Sequence, residues 1–296
     1  MPEQKTLIKI SELLRQAKHS LKQAGIESAA LEARVLLCHM CKITEVEVIA
    51  CPDRLIEEVQ AAEFFDLVAR RSQRIPLAHL LGVREFWGLE FHVNAHTLIP
   101  RPETEFAVDA AALCARRMVK QTGQARILDM GTGSGCLLIS ILHEVEGATG
   151  VGIDIDAKAV ELAEKNAIKM GVDARAQFKC MDWGDGLTET FDIVVSNPPY
   201  IASGDLAGLM PEVASHEPAR ALDGGCDGLD EYRKILPRAH RLLGRQGVMI
   251  LEIGHGQAKD VLDLLAENGF HLLDTAQPVK HDLAGRERII AALKVC

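Results

Sequence analysis

The sequence predicts an α/β protein: a mostly parallel sheet in the C-terminal two thirds, preceded by a small helical bundle. Three observations carry this. From residue 104 onward helical and strand-like patterns alternate. The apolar run ARILDM enters a glycine-rich turn, and a helical pattern follows. Residues 5 to 72 carry helical periodicity only. With 296 residues, 48% of them hydrophobic, the chain is long enough for two domains. No apolar run is long enough for a membrane span. The N-terminal MPEQKTLIKI has no apolar core of a signal peptide, which predicts a cytoplasmic protein.

In the first region Leu7, Ile10, Leu13, Leu14, Ala17 and Leu21 recur at helical spacing, and Gly25 offers a stop. Ser28 can cap a second helix with Leu31, Val35 and Leu36 on its inner face. Pro52 breaks the chain. Leu55 to Arg71 then reads as a third helix, with Ile56, Val59, Ala62, Phe65 and Val68 inward. The 8 cysteines are too sparse for a disulfide scaffold. The tight pair Cys38 and Cys41 lies in a helical pattern and reads as packing, so no metal is expected.

Residues 74 to 100 contain glycines, aromatics and short strand-like pieces such as Leu89 to Val93, and read as a linker or hairpin. Phe86 and Trp87 within it are expected to pack between domains. The predicted organisation is a helical domain over 1–73, a linker or β-hairpin over 74–100, and a catalytic domain over 101–296.

The alternating region reads in order as helix 105–120, strand 125–130, helix 136–145, strand 150–154, helix 157–170, and strands 176–180 and 192–196. Helix 232–243, strand 247–253, helix 258–268 and strands 271–275 and 288–294 complete it. In such sheets ligands bind beyond the C-terminal ends of the strands. Each chemical motif sits at such an end.

The first is Gly131-Thr132-Gly133-Ser134-Gly135, between strand and helix. Glycines there permit a tight turn and close approach of a ligand, and the helix N-terminus offers unpaired N–H groups. No Gly-Lys-Ser/Thr follows, which excludes a Walker loop, and the spacing is not that of a dinucleotide fold. Asp129 precedes the turn, where a carboxylate suits an ammonium better than a pyrophosphate. Asp154 closes the next strand and can accept both hydroxyls of a ribose, with Asp156 as the alternative in register. Asp182 can accept from an adenine amino group, with Met181 or Trp183 against the ring. A nucleoside bearing an amino-acid group fits this set, and S-adenosylmethionine is such a ligand. Gly131, Thr132, Gly133, Gly135, Asp129, Asp154, Asp182, Trp183 and Asn197 are the candidate cofactor residues.

The second motif is Asn197-Pro198-Pro199-Tyr200, directly after the apolar run IVVS. Methyl transfer from a sulfonium demands alignment more than acid–base chemistry. A planar amino nitrogen is a poor nucleophile, and two acceptors for its N–H groups favour pyramidal character as bonding begins. Asn197 offers a side-chain oxygen and Pro198 a carbonyl. The prolines stiffen the mount, and Tyr200 can pack over a flat substrate group. The candidate catalytic residues are therefore Asn197, Pro198 and Tyr200.

At this point the sequence resembles the N5-glutamine methyltransferases of peptide chain release factors. The resemblance rests on PLAHLLGVREFWGLEFHV, LIPRPETE, ILDMGTGSGC, VGIDID, SNPPY, EPARALDGGCDGL, LEIG and DLAGRERII, and spans nearly the whole chain. It implies a seven-stranded, Rossmann-like, S-adenosylmethionine-dependent methyltransferase sheet behind an N-terminal helical bundle. The implied substrate is the glutamine of a Gly-Gly-Gln tripeptide in a release factor. The implied substrate-binding residues are Asn197, Pro198, Pro199 and Tyr200, with Arg101, Pro102 and Glu103 of RPETE lining the pocket.

An adenine-N6 methyltransferase acting on nucleic acid would share the Asn-Pro-Pro-Tyr corner. The charge distribution opposes it. Net charge is -9, and residues 201 to 229 hold one arginine and no lysine. No nucleic acid substrate is expected. A non-catalytic binding protein on the same fold is opposed by the intact glycine turn and corner.

Overall fold

The structure is a computed structural model describing residues 7–273, 279–282 and 284–295. The chain divides into two compact units, Met1–Gly82 with Met210–His216, and Val83–Leu209 with Glu217–Cys296.

The first unit contains β1 (Leu7–Lys9), α1 (Ile10–Gln23), α2 (Ala29–Cys41), α3 (Glu45–Ala50), β2 (Leu55–Glu57), α4 (Glu58–Ser72) and α5 (Leu77–Leu81). Two starts differ from the sequence reading. Leu7 and Leu55 open strands, because β1 and β2 pair antiparallel with Ile8 opposite Ile56. Local periodicity does not see a partner strand far away in sequence. In α1 the residues Ile10, Leu13, Ala17 and Leu21 are buried as expected. In α2 Leu31 faces solvent, and Ala33, Leu36 and Leu37 fill the core. In α4 the inward residues are Ala61, Phe64 and Val68, whereas Val59 is exposed. Ser28 precedes α2 but makes no side-chain cap; its hydroxyl donates to Glu32 at 2.7 Å. Cys38, Met40 and Cys41 pack against this core.

Glu32 sits on the inner face because Arg71 meets it there. Arg71 Nε donates to Glu32 at 2.5 Å and its Nη2 to Glu212 at 2.9 Å. Arg74 donates to Glu212 at 2.7 Å. A buried carboxylate needs such a partner, since desolvation of an unpaired charge costs several kcal/mol by the order of magnitude for buried ions.

The second unit opens with a hairpin, β3 (Val83–Phe86) and β4 (Leu89–His92). Trp87 and Gly88 form its two-residue turn, both at positive φ. Phe86 belongs to this unit's own core, edge-on to Phe91 with ring centroids 6.1 Å apart. Then follow α6 (Glu105–Thr122), β5 (Ala125–Met130), α7 (Cys136–Glu144), β6 (Ala148–Asp154), α8 (Ala157–Lys169), β7 (Ala176–Cys180) and β8 (Phe191–Ser196). The short α9 (Pro211–His216) belongs to the first unit. The chain continues through α10 (Asp230–Leu242), β9 (Leu243–Glu252), α11 (Ala258–Glu267), β10 (Phe270–Leu272), β11 (Val279–His281) and β12 (Glu287–Lys294).

Seven strands form one path, in the order β10-β12-β9-β8-β5-β6-β7, and the short β11 adds an eighth by pairing with β12. β5, β6, β7, β8 and β9 run parallel, while β12 is antiparallel to β9. The strand expected over 271–275 is described as far as Leu272; residues 274 and 275 lie outside the described residues.

Apolar layers cover both sheet faces. One packs α6 and α7 through Val108, Ala111, Leu138 and Ile141; the other packs α10 and α11 through Tyr232, Leu236 and Val261. Strand order turns back at β5, whose neighbours are β6 and β8. Parallel pairing brings the C-terminal ends of β5, β6, β8 and β9 to one edge, where a doubly wound sheet opens a crevice.

Candidate active site

At that edge lies a cavity of about 560 Å³, in the size range of small-molecule sites. The glycine turn forms one wall. Gly131 and Gly133 have φ of 78° and 55°, which favours glycine. A Cβ at Gly131 would fall 3.2 Å from the Trp183 indole, whereas the nearest atom to one at Gly133 is 4.0 Å away. Gly133 thus leaves open backbone toward the cavity. Gly135 serves packing: a Cβ there would lie 2.7 Å from Ile139 and 3.1 Å from Ala163.

Asp154 lines the cavity at the end of β6. Its Oδ2 accepts from the Gly133 amide and its Oδ1 from the Asp156 amide, each at 2.9 Å. Burial holds its carboxyl above the ordinary value. Asp156, the alternative in register, caps α8 by accepting from the Lys158 amide and pairs with Arg220. Asp182 and Trp183 both line the cavity, and the Trp183 Nε1 donates to Glu231 at 2.8 Å.

Asp129 lies beneath the turn, fully buried and off the cavity lining. Its Oδ2 accepts from Thr132 at 2.7 Å, and Oδ1 has no hydrogen-bond partner. Burial raises its carboxyl to about 7. A buried acceptor left unsatisfied behind a glycine turn is compatible with a cation on the ligand side. Open backbone at Gly133, the carboxylate of Asp154 and the indole of Trp183 together fit a nucleoside carrying an amino-acid group.

The Asn-Pro-Pro-Tyr corner leaves β8, the neighbour of β5 in the sheet. The Ser196 hydroxyl donates to the Met130 carbonyl at 2.6 Å and ties the ends of β8 and β5 together. Asn197 and Pro199 line the cavity; Pro198 is buried between them. Asn197 Nδ2 donates to Thr104 Oγ1 at 3.2 Å. Tyr200 lies off the lining, and its phenol donates to Glu252 at 3.2 Å. Arg101 lines the cavity and donates to the buried Glu217, which also accepts from the Ile99 amide. Glu103 is half-exposed and outside the lining.

The EPARALDGGCDGL segment braces the corner through its backbone. The Ile201 amide donates to Leu222 O at 3.0 Å and the Gly224 amide to Ile201 O at 2.8 Å. Gln257 Nε2 donates to the Tyr200 carbonyl at 3.0 Å.

Two family descriptions match the chain: "PrmC N-terminal domain" over residues 12–82 and "Methyltransferase domain" over residues 121–270. A release factor glutamine methyltransferase of Rhodospirillum rubrum is 42% identical over 285 residues, 96% of this chain and 84% of that one. The one of Bradyrhizobium diazoefficiens is 42% identical over 275 residues, 93% of this chain and 91% of that one. This chain belongs to the release factor glutamine methyltransferase family. The fold is also that of a methyltransferase crystal structure from Pyrococcus furiosus, at a TM-score of 0.50 and 15% identity, covering 77% of this chain and 99% of that one.

Four segments that carry the resemblance to release factor glutamine methyltransferases meet at the one cavity: RPETE through Arg101 and Thr104, the glycine turn, the proline corner, and EPARALDGG through Arg220 and Ala221. Sequence reasoning did not single out Thr104, Glu217, Glu231 or Glu252. Glu252 carried a signal: an acid that ends the apolar run VMILE at a strand terminus, where such sheets place their chemistry. Among the described residues no cluster of His, Cys, Asp and Glu could hold a metal ion, and no helix is long and apolar enough to cross a membrane.

Proposed function

We propose that this protein transfers the methyl group of S-adenosylmethionine to the N5 side-chain amide nitrogen of the glutamine in the Gly-Gly-Gln motif of peptide chain release factors. Membership of the family supports the substrate. The observation that carries the chemistry is the Asn197 amide: its nitrogen is committed to Thr104, and among the described residues nothing donates to its oxygen at the cavity wall.

S-adenosylmethionine, when bound, supplies a methyl carbon on a sulfonium, a good leaving group. Gly131, Thr132, Gly133, Asp154, Asp182 and Trp183 would hold it, with Asp129 supplying negative charge behind the turn. Asn197 Oδ1 and the Pro198 carbonyl accept the two N–H groups of the substrate amide. They fix its nitrogen in the cavity, and their negative ends stabilise the positive charge that nitrogen gains. The prolines keep the two acceptors at constant separation, so little reorganisation accompanies reaction. Arg101, anchored by Glu217, lines the entry for the peptide. The place of action is the cytoplasm, where translation presents release factors.

The test is mass spectrometry of a release factor incubated with the protein and isotopically labelled S-adenosylmethionine. Label is expected on the Gly-Gly-Gln peptide. Its absence there, or its appearance on nucleic acid, overturns the reading. Asn197→Ala is expected to bind cofactor and lose turnover.

A further inference from the structure

A primary amide can present either its oxygen or its nitrogen, and the two ends have nearly the same shape. Packing alone therefore does not decide which end of Asn197 faces the cavity. The polarity of its hydrogen-bond partner decides it. That partner, Thr104 Oγ1, is itself ambivalent, because a hydroxyl can donate or accept.

Glu252 removes the ambivalence. It ends β9 and is buried. Its Oε1 accepts from the Tyr200 phenol, and its Oε2 has no partner. The Thr104 hydroxyl lies beside this carboxylate and favours its ionised form. A carboxylate only accepts. Its unpaired Oε2 is the acceptor the neighbouring Thr104 hydroxyl can turn to, which leaves Thr104 only lone pairs for Asn197. Asn197 must then turn its nitrogen to Thr104 and its oxygen to the cavity. The other groups around Glu252 are Arg288, which favours ionisation, Glu103, which opposes it, Cys136 of α7, and Tyr232, whose hydroxyl bonds the Glu252 backbone carbonyl at 2.9 Å.

We propose that Glu252 and Thr104 are positioning residues that set the polarity of the Asn197 amide, so that its oxygen faces the substrate nitrogen. The inference rests on the glutamine-methylation reading above. Burial raises the Glu252 carboxyl to about 7. Below that pH the neutral acid can itself donate, Thr104 is free to donate to Asn197, and the amide can present its nitrogen instead. An N–H aimed at a substrate N–H opposes reaction, so turnover acquires an acid limb.

The experiment compares wild type, Thr104→Val, Thr104→Ser and Glu252→Gln on a purified release factor, with cofactor binding measured separately. Thr104→Val keeps the shape and loses the hydroxyl. Its kcat is expected to fall about tenfold or more, with the cofactor Kd within about twofold, and Thr104→Ser to recover to within about threefold of wild type. Wild-type kcat is expected to fall below pH about 7, and Glu252→Gln to be slow at every pH without that inflection. A Thr104→Val enzyme with kcat within about twofold of wild type, or a Glu252→Gln enzyme retaining both rate and acid limb, overturns the inference while leaving the function standing. A Thr104→Ser enzyme that binds cofactor normally yet recovers nothing also overturns it. A wild type that leaves the Gly-Gly-Gln peptide unlabelled overturns the function and this inference together.

Discussion

Gly228 stands so close to Tyr200 that a Cβ at residue 228 would fall 2.5 Å from the Tyr200 carbonyl oxygen. Its φ of +76° is also one that side chains disfavour. The distant glycine segment is thus a template against which the catalytic corner is pressed. Gly228→Ala is expected to push the corner out of place and lower turnover about tenfold or more, since small misplacements of aligned groups are costly. Cofactor affinity should stay within about threefold by calorimetry, because the glycine turn is a separate wall.

Asp154 holds the Gly133 and Asp156 amides on its two oxygens. An asparagine there keeps one acceptor and aims a donor at the other amide. Charge-assisted bonds of this kind contribute about 1.5–3 kcal/mol each. Asp154→Asn is expected to weaken cofactor binding by about ten- to a hundredfold, measured by titration calorimetry.

Glu252 makes stability depend on pH. Its carboxyl is raised from 4.5 to about 7 in the folded state. Folding therefore favours the neutral form. This contribution is fully present below pH 4.5 and is lost as pH rises through about 7. The loss is about 3 kcal/mol as an order of magnitude. Glu252→Gln abolishes that titration, so its Tm should fall less than that of wild type between pH 5 and pH 8. An equal fall in both proteins would contradict the assignment. The same ionisation that the site uses above pH 7 is thus one the fold resists.

Arg71 joins Glu32 and Glu212 inside the first unit. Arg71→Met strips the buried Glu32 of its ion-pair partner and leaves Glu212 with Arg74 alone. Removing one member of a buried pair costs about 3–5 kcal/mol. The expected outcome is an early transition in urea, followed by far-UV circular dichroism or by proteolysis within residues 7–82.

Much of the α/β unit was legible because its signals are local. β5 and β7 have the ends the sequence predicted: β5 is an apolar run bounded by a turn, and β7, at the sheet edge, alternates Ala, Phe and Cys with Gln and Lys. The glycine turn and the proline corner were legible for the same reason: each is a contiguous set of backbone restrictions. In the first unit the phase of α4 was misread. Val59, Ala62 and Phe65 were expected inward with Val68, but of these only Val68 is buried, beside Ala61 and Phe64 of the neighbouring stripe. Only a core to pack against chooses between two neighbouring stripes. Glu32 and Arg71 were passed over because a charged residue at an inner position is unfavourable until its partner is known.

By itself the sequence determined an alternating α/β chain, a glycine turn poised for a nucleoside ligand, and a rigid pair of acceptors after a core strand. These are properties of neighbours along the chain. Tertiary structure decided which carboxylate serves which part: Asp154 the cavity, Asp156 a helix cap, Asp129 the buried base of the turn. It also decided what stands behind Asn197. Thr104, Tyr200 and Glu252 come from three separate segments, and parallel strands ending at one edge bring them together. Hydrogen-bond polarity depends on that meeting, because whether a hydroxyl or an amide donates or accepts is settled only by the group it faces.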